Sequence, residues 1–182
     1  MTEVKKILYS TIESIGKERI RADTTSNINF SEKYMDTIMA ECNAKINDDS
    51  SVSNKDETIV ILGEALLHFM LTVCTLPSER KIQVKATKPR NSYTKSTALK
   101  EKVIIEIIRV KIDLNKISQV EFLQPNYKNI WLVSAISLSR TKYPIYGLFP
   151  NAGSFNNNYS NIIIDINNFL KETGDKSFRF IH

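Results

Sequence analysis

The sequence predicts a mixed α/β (α+β) fold, a small strand-and-helix core preceded by one helix and followed by a further β/α segment. Three observations lead there. Residues 4–15 and 30–46 carry apolar side chains at helical spacing. Residues 58–62, 81–87 and 103–112 are either rich in β-branched side chains or alternate in polarity, as strands do. The 182 residues suit one ordinary domain or one domain with an extension, and only five Gly and five Pro leave no long flexible linker. The expected division is a core over 1–112 and an extension over 113–182 packed on it.

The first helix is set by Val4, Ile7, Leu8, Ile12 and Ile15, with Gly16 as its stop. Residues 17–23 read as a short, weak strand with Ile20 and Ala22 inward, and 23–27 as a polar connection. Phe30, Tyr34, Met35, Ile38, Met39 and Cys42 make one face of a second helix, with Asn29 as its cap and Glu32 as the capping-box partner. The polar, acidic stretch 47–57 reads as a loop.

Residues 58–62 then read as a buried strand, turned by Gly63 into a helix that is apolar nearly all round. Its polar residues Glu64, His68, Thr72 and Thr75 fall on one narrow stripe, so the helix must be covered on two sides. The second cover is either the C-terminal segment or a partner subunit. In 81–87, Ile82, Val84 and Ala86 alternate with Lys81, Gln83, Lys85 and Thr87. A basic loop over 88–102 joins this strand to the more apolar, central-looking strand 103–112.

Strands are expected at 118–123 and 129–138, and turns across 143–153. Ile162, Ile163, Ile166, Phe169 and Leu170 have helical spacing over 161–171, although the isoleucines would equally suit a strand. An edge strand is expected over 177–181.

Charge is the strongest functional signal. The chain carries a net +5, yet residues 79–116 hold eleven Lys or Arg against four Asp or Glu. That one segment therefore carries the whole positive excess. Lys81, Lys85, Lys88, Arg90, Lys95, Lys100 and Lys102, with Tyr93 near the tip, form a basic hairpin suited to a phosphate backbone. A planar aromatic at the tip could stack on an unpaired base. The competing reading is a solvated loop. Lys17, Arg19 and Arg21 share one face if 17–23 is a strand, so Arg19 and Arg21 would extend the basic surface.

Catalytic constellations are lacking. His68 has only Glu64 one helical turn away, and this pair alone makes no metal site. Asp48, Asp49, Asp56 and Glu57 lack a calcium-loop spacing. Gly63 belongs to neither a P-loop nor a dinucleotide fingerprint. No cofactor or metal is expected. Cys42 and Cys74 read as small core residues of an intracellular protein, with no signal peptide and no membrane span.

The order strand, helix, strand, helix, strand, strand over residues 17–112 resembles the Alba-like family. The resemblance rests on Val60-Ile61-Leu62-Gly63-Glu64-Ala65-Leu66, similar to that family's strand and G-x-A-[IL] turn, and on the basic tip 88–95. The polar turn Thr24-Thr25-Ser26 also looks like the family's first loop. Members include archaeal chromatin proteins and the small paired protein subunits of eukaryotic ribonuclease P and MRP. Glu64 and the extension 113–182 depart from the family pattern.

The resemblance implies a βαβαββ sandwich core and a homo- or heterodimer, here formed through the helix 64–75. It also implies a non-catalytic subunit of a ribonucleoprotein that binds structured RNA, or DNA. The alternative expectation is an assembly subunit docking through the C-terminal aromatics Trp131, Tyr143, Tyr146, Phe149, Phe155 and Tyr159.

Overall fold

Asn54 opens the longest apolar run in the chain, and that run is helical. Its side chain accepts a hydrogen bond from the Glu57 amide (3.2 Å), capping a helix over Lys55–Val73. The computed structural model describes residues 3–48, 54–79, 104–108, 121, 126–135, 142–149, 157–173 and 178–181. Among them the helices are α1 (Glu3–Ile15), α2 (Lys17–Ser26), α3 (Phe30–Asp48), α4 (Lys55–Val73) and α5 (Ile162–Thr173). The strands are β1 (Ser78–Glu79), β2 (Ile104–Ile108), β3 (Ile130–Ser134), β4 (Ile145–Gly147), β5 (Asn157–Asn158) and β6 (Phe178–Ile181).

All strand pairs are parallel, in the order β1-β6-β2-β3-β4-β5. The expectation of mixed helix and strand holds, but the βαβαββ order does not describe these residues. Residues 17–23, expected as a strand, lie in α2. Ile20 and Thr24, one helical turn apart, are its two buried residues, and the Thr24 hydroxyl donates back to the Ile20 carbonyl at 2.8 Å. Lys17, Glu18, Arg19, Arg21 and Ala22 take exposed or partly exposed positions at little conformational cost.

Residues 58–62 are likewise helical. The β-branched run Thr58-Ile59-Val60-Ile61 continues without a break into Leu62 and beyond. Burial of Ile59, Val60 and Leu62 among the surrounding elements overrides its strand propensity. Gly63-Glu64-Ala65-Leu66 is thus part of a continuous helix rather than a strand-to-helix turn. Of the residues that carried the family resemblance, 60–66 and 24–26 are helical rather than strand, turn or loop, and the basic tip 88–95 lies outside the described residues.

Helix α4 packs against α1, α2, α3, α5 and β2. Its Leu62, Leu66, Leu67, Met70 and Leu71 are wholly buried within the single chain. The cover demanded by its all-round apolarity therefore comes from the chain's own helices, and a dimer through 64–75 is not required to supply it. Between α1 and α2 the chain bends at Gly16, whose φ of 98° favours a residue without a Cβ.

The later elements follow the sequence more closely. Strand β3 is buried at every position, as a parallel strand covered on both faces should be. Trp131 and Val133 face the helices together with Ile105, Tyr146 and Leu148, while Ile130, Leu132 and Ile145 are buried outside that cluster. The segment 161–171 is helical, with Ile162, Ile163 and Ile166 fully buried. Turn-rich 143–153 contains β4. The strand expected at an edge, 177–181, is interior, because β6 sits between β1 and β2. The segments 1–112 and 113–182 share this one sheet. Strand 81–87 and all of 118–123 except Glu121 lie outside the described residues. No helix among the described residues is long and apolar enough to cross a membrane.

Candidate nucleic-acid interface

Of the ten residues singled out for nucleic-acid binding, eight lie outside the described residues: Lys81, Lys85, Lys88, Arg90, Tyr93, Lys95, Lys100 and Lys102. They belong to the connection between β1 and β2. These two strands are parallel with β6 between them, so the connection leaves a carboxyl end at Glu79 and returns to an amino end at Ile104.

Arg19 and Arg21 are described, and both are exposed on α2. The helix overturns their expected shared face, since positions two apart point in different directions. Arg19 lies 3.9 Å from Asp23, one turn on, so part of its charge is answered locally. The Tyr34 hydroxyl donates to that same Asp23 carboxylate, which raises the tyrosine above its ordinary pKa.

A second cationic group stands at the amino edge of the sheet, unmarked in the sequence reading. Just before β3, Tyr127–Asn129 form a single 3-10 turn. The Asn126 side chain accepts from the Lys128 amide (3.2 Å), and the Trp131 indole N–H donates to the Lys128 carbonyl (2.9 Å). These bonds fix the turn from both sides and leave Tyr127 and Lys128 exposed. Just before β4, Lys142 places its Nζ 5.9 Å from the Tyr127 ring centroid and 5.4 Å from that of Tyr143.

Glu121 completes the group. It accepts from Lys142 at 2.5 Å and from the Tyr143 hydroxyl at 2.5 Å. The Lys142 ammonium, with help from that hydroxyl, holds the Glu121 carboxyl below the usual carboxylate range. Burial, reinforced by the bond to Glu121, pushes Tyr143 up to about 12. The sequence did carry a signal: Tyr127-Lys128 and Lys142-Tyr143 are aromatic–cation pairs, each just ahead of a strand. Parallel neighbouring strands bring such pairs to the same edge.

The opposite, carboxyl edge carries a cleft of about 450 Å³ between α3 and the ends of β4 and β5. Its walls include Met39, Leu148, Phe149 and Tyr159, and its polar lining includes Asp36, Asn43 and Ser160. The cleft is shaped from beneath by Gly63. A Cβ there would lie 2.5 Å from Leu148 Cδ2, and the Tyr159 hydroxyl donates to the Gly63 carbonyl at 2.5 Å.

The C-terminal aromatics are mostly structural. Trp131, Tyr143, Tyr146 and Tyr159 are buried and Phe149 is half-buried, while Phe155 lies outside the described residues. Trp131 stacks at a tilt on Tyr146 (5.3 Å) and edge-on to Phe169 (6.4 Å). Among the described residues no group of three His, Cys, Asp or Glu side chains could hold a metal ion. Compared with known proteins, the chain matches no family model, no curated protein and no solved structure.

Proposed function

We propose that the protein is a non-catalytic nucleic-acid-binding subunit that grips the backbone of structured RNA. The observation that carries this reading is the concentration of charge. Residues 80–103, the connection between β1 and β2, hold eight Lys or Arg and one Glu, while the chain as a whole nets only +5. A field this local attracts polyanions, and each phosphate neutralised releases counterions. The exposed Lys128 and Lys142 at the amino edge, the edge at which that connection enters β2, support the same reading. The docking alternative loses most of its sequence support, because the aromatics proposed to dock are largely buried.

The test is a fluorescence-anisotropy titration of a structured RNA, a DNA duplex and single strands of each at two salt concentrations. Binding to RNA is expected, with affinity falling by roughly 0.7–0.9 logarithmic units per phosphate contacted for each tenfold rise in salt. The combined reversal Lys88→Glu, Arg90→Glu and Lys95→Glu should abolish binding and leave the thermal melt unchanged. The bound RNA should also remain intact in the presence of magnesium. Normal binding by the triple variant overturns the assignment to this segment, and no binding by the wild type overturns the function.

A further inference from the structure

We infer that Tyr127 is a stacking platform for an unpaired base, so that the amino edge of the sheet takes single-stranded nucleotides. This inference rests on the nucleic-acid reading and deepens it by naming which part of the ligand is held there. Three large hydrophobic side chains among the described residues are well exposed: Tyr9, Phe30 and Tyr127. Tyr9 lies on α1 and Phe30 opens α3, and no cation–π contact is found for either ring among the described residues. Tyr127 is 41% exposed and has Lys142 Nζ 5.9 Å from its centroid and Lys128 beside it in the chain.

A partly exposed aromatic ring with an ammonium group at its face and a second lysine next in the chain is the arrangement that single strands use. The base stacks on the ring while the cations take the neighbouring phosphates. Duplexes keep their bases stacked inside and offer the ring nothing. The platform is also held in place. Tyr127 sits on a turn closed by Asn126 and by the Trp131 indole, and it precedes a fully buried strand. Little ordering is therefore left to be done when a base arrives.

Glu121 acts as the counterweight. Its carboxylate holds Lys142 at 2.5 Å in the free protein, and a phosphate would compete with it for that ammonium. Tyr143 forms the buried wall behind Lys142 and is already committed to Glu121. Tyr127 and Lys128 are thus the open members of the group, and Lys142 is the member released on binding.

The experiment compares wild type, Tyr127→Ala, Tyr127→Phe and Lys142→Ala on a uridine-rich RNA single strand, the matching DNA single strand and an RNA duplex. All four proteins are first shown to melt alike. Tyr127→Ala should weaken single-strand binding by about tenfold, the effect of losing one base stacked on an aromatic ring. Duplex binding should stay unchanged, Tyr127→Phe should bind as wild type does, and Lys142→Ala should lower the salt dependence. The two single strands show whether sugar chemistry is read at this site. Unchanged single-strand binding by Tyr127→Ala overturns the platform, as does an equal loss on single strand and duplex. Those results require a wild type that binds. A wild type that binds nothing refutes the proposed function itself, and the platform with it.

Discussion

Two tyrosine hydroxyls make the same short bond in two different settings, and the contrast separates the part of the molecule that holds it together from the part that is open to a ligand. Tyr159 donates to the Gly63 carbonyl at 2.5 Å, wholly buried between α4 and the carboxyl edge of the sheet. Tyr143 donates to Glu121 at 2.5 Å, at the amino edge, beside an exposed lysine. The first acceptor is a neutral backbone group that cannot titrate. The second is a half-exposed carboxylate shared with an exposed ammonium. At the seam, burial raises the Tyr159 hydroxyl far above its ordinary pKa and fixes its role. At the amino edge, charge can be rearranged at small cost because water is close by.

Variants at the seam should therefore cost stability, and variants at the edge should change binding and pH response. The largest effect is expected from Leu67→Ala in α4. It empties a fully buried site and should destabilise by about 3 kcal/mol in urea unfolding. Next, Gly63→Ala drives a methyl group against Leu148. The clash outweighs the gain in helix propensity, for a net loss of about 1–2 kcal/mol. Tyr159→Phe keeps the ring and removes one buried hydrogen bond, a loss of about 1 kcal/mol on the same assay.

The smallest change is expected from Glu121→Gln, read as pH dependence. The carboxyl is depressed in the folded chain, so its contribution is present above the ordinary value of 4.5 and is lost as pH falls through the lower folded value. The variant should flatten the acid limb of the melting profile and, by freeing Lys142, bind RNA slightly more tightly. If Glu121→Gln destabilises as much as Tyr159→Phe, the contrast between the two regions is broken. If Gly63→Ala is silent, Leu148 gives way and the seam is looser than its geometry implies.

The same contrast explains what was legible. Helix α3 shows periodicity against a polar face and could be read directly, whereas α5 has the same helical spacing but its isoleucines suited a strand equally well. Strand β3 could be read because a short apolar run between turns has no room to be a long helix. Residues 58–62 and β3 are locally alike, since both are runs of large, mostly branched apolar side chains. What differs is continuity. The first run flows into eleven further helical residues behind the Asn54 cap. Reading Gly63 as a turn broke that continuity, whereas its actual task is to let Leu148 and Tyr159 approach the helix.

Residues 17–23 misled for the opposite reason. With few apolar residues, charged side chains at alternate positions imitate a strand, and only the burial of Ile20 with Thr24 reveals the helical period. The basic character of residues 80–103 was plain from composition. The amino-edge group was not, because Glu121, Tyr127 and Lys142 become neighbours only once the parallel register is known.

The placing of β6 has a consequence in time. Ser78 and Phe178 lie side by side in the sheet, a hundred residues apart along the chain. During synthesis at about 5–20 residues per second, β1 emerges and then waits several seconds for β6, its one neighbour among the described residues. Throughout that interval the most cationic stretch of the polypeptide has been made while one of its two anchoring strands is still unpaired. β6, made after the other described strands, is therefore the one that closes the sheet around both ends of that stretch.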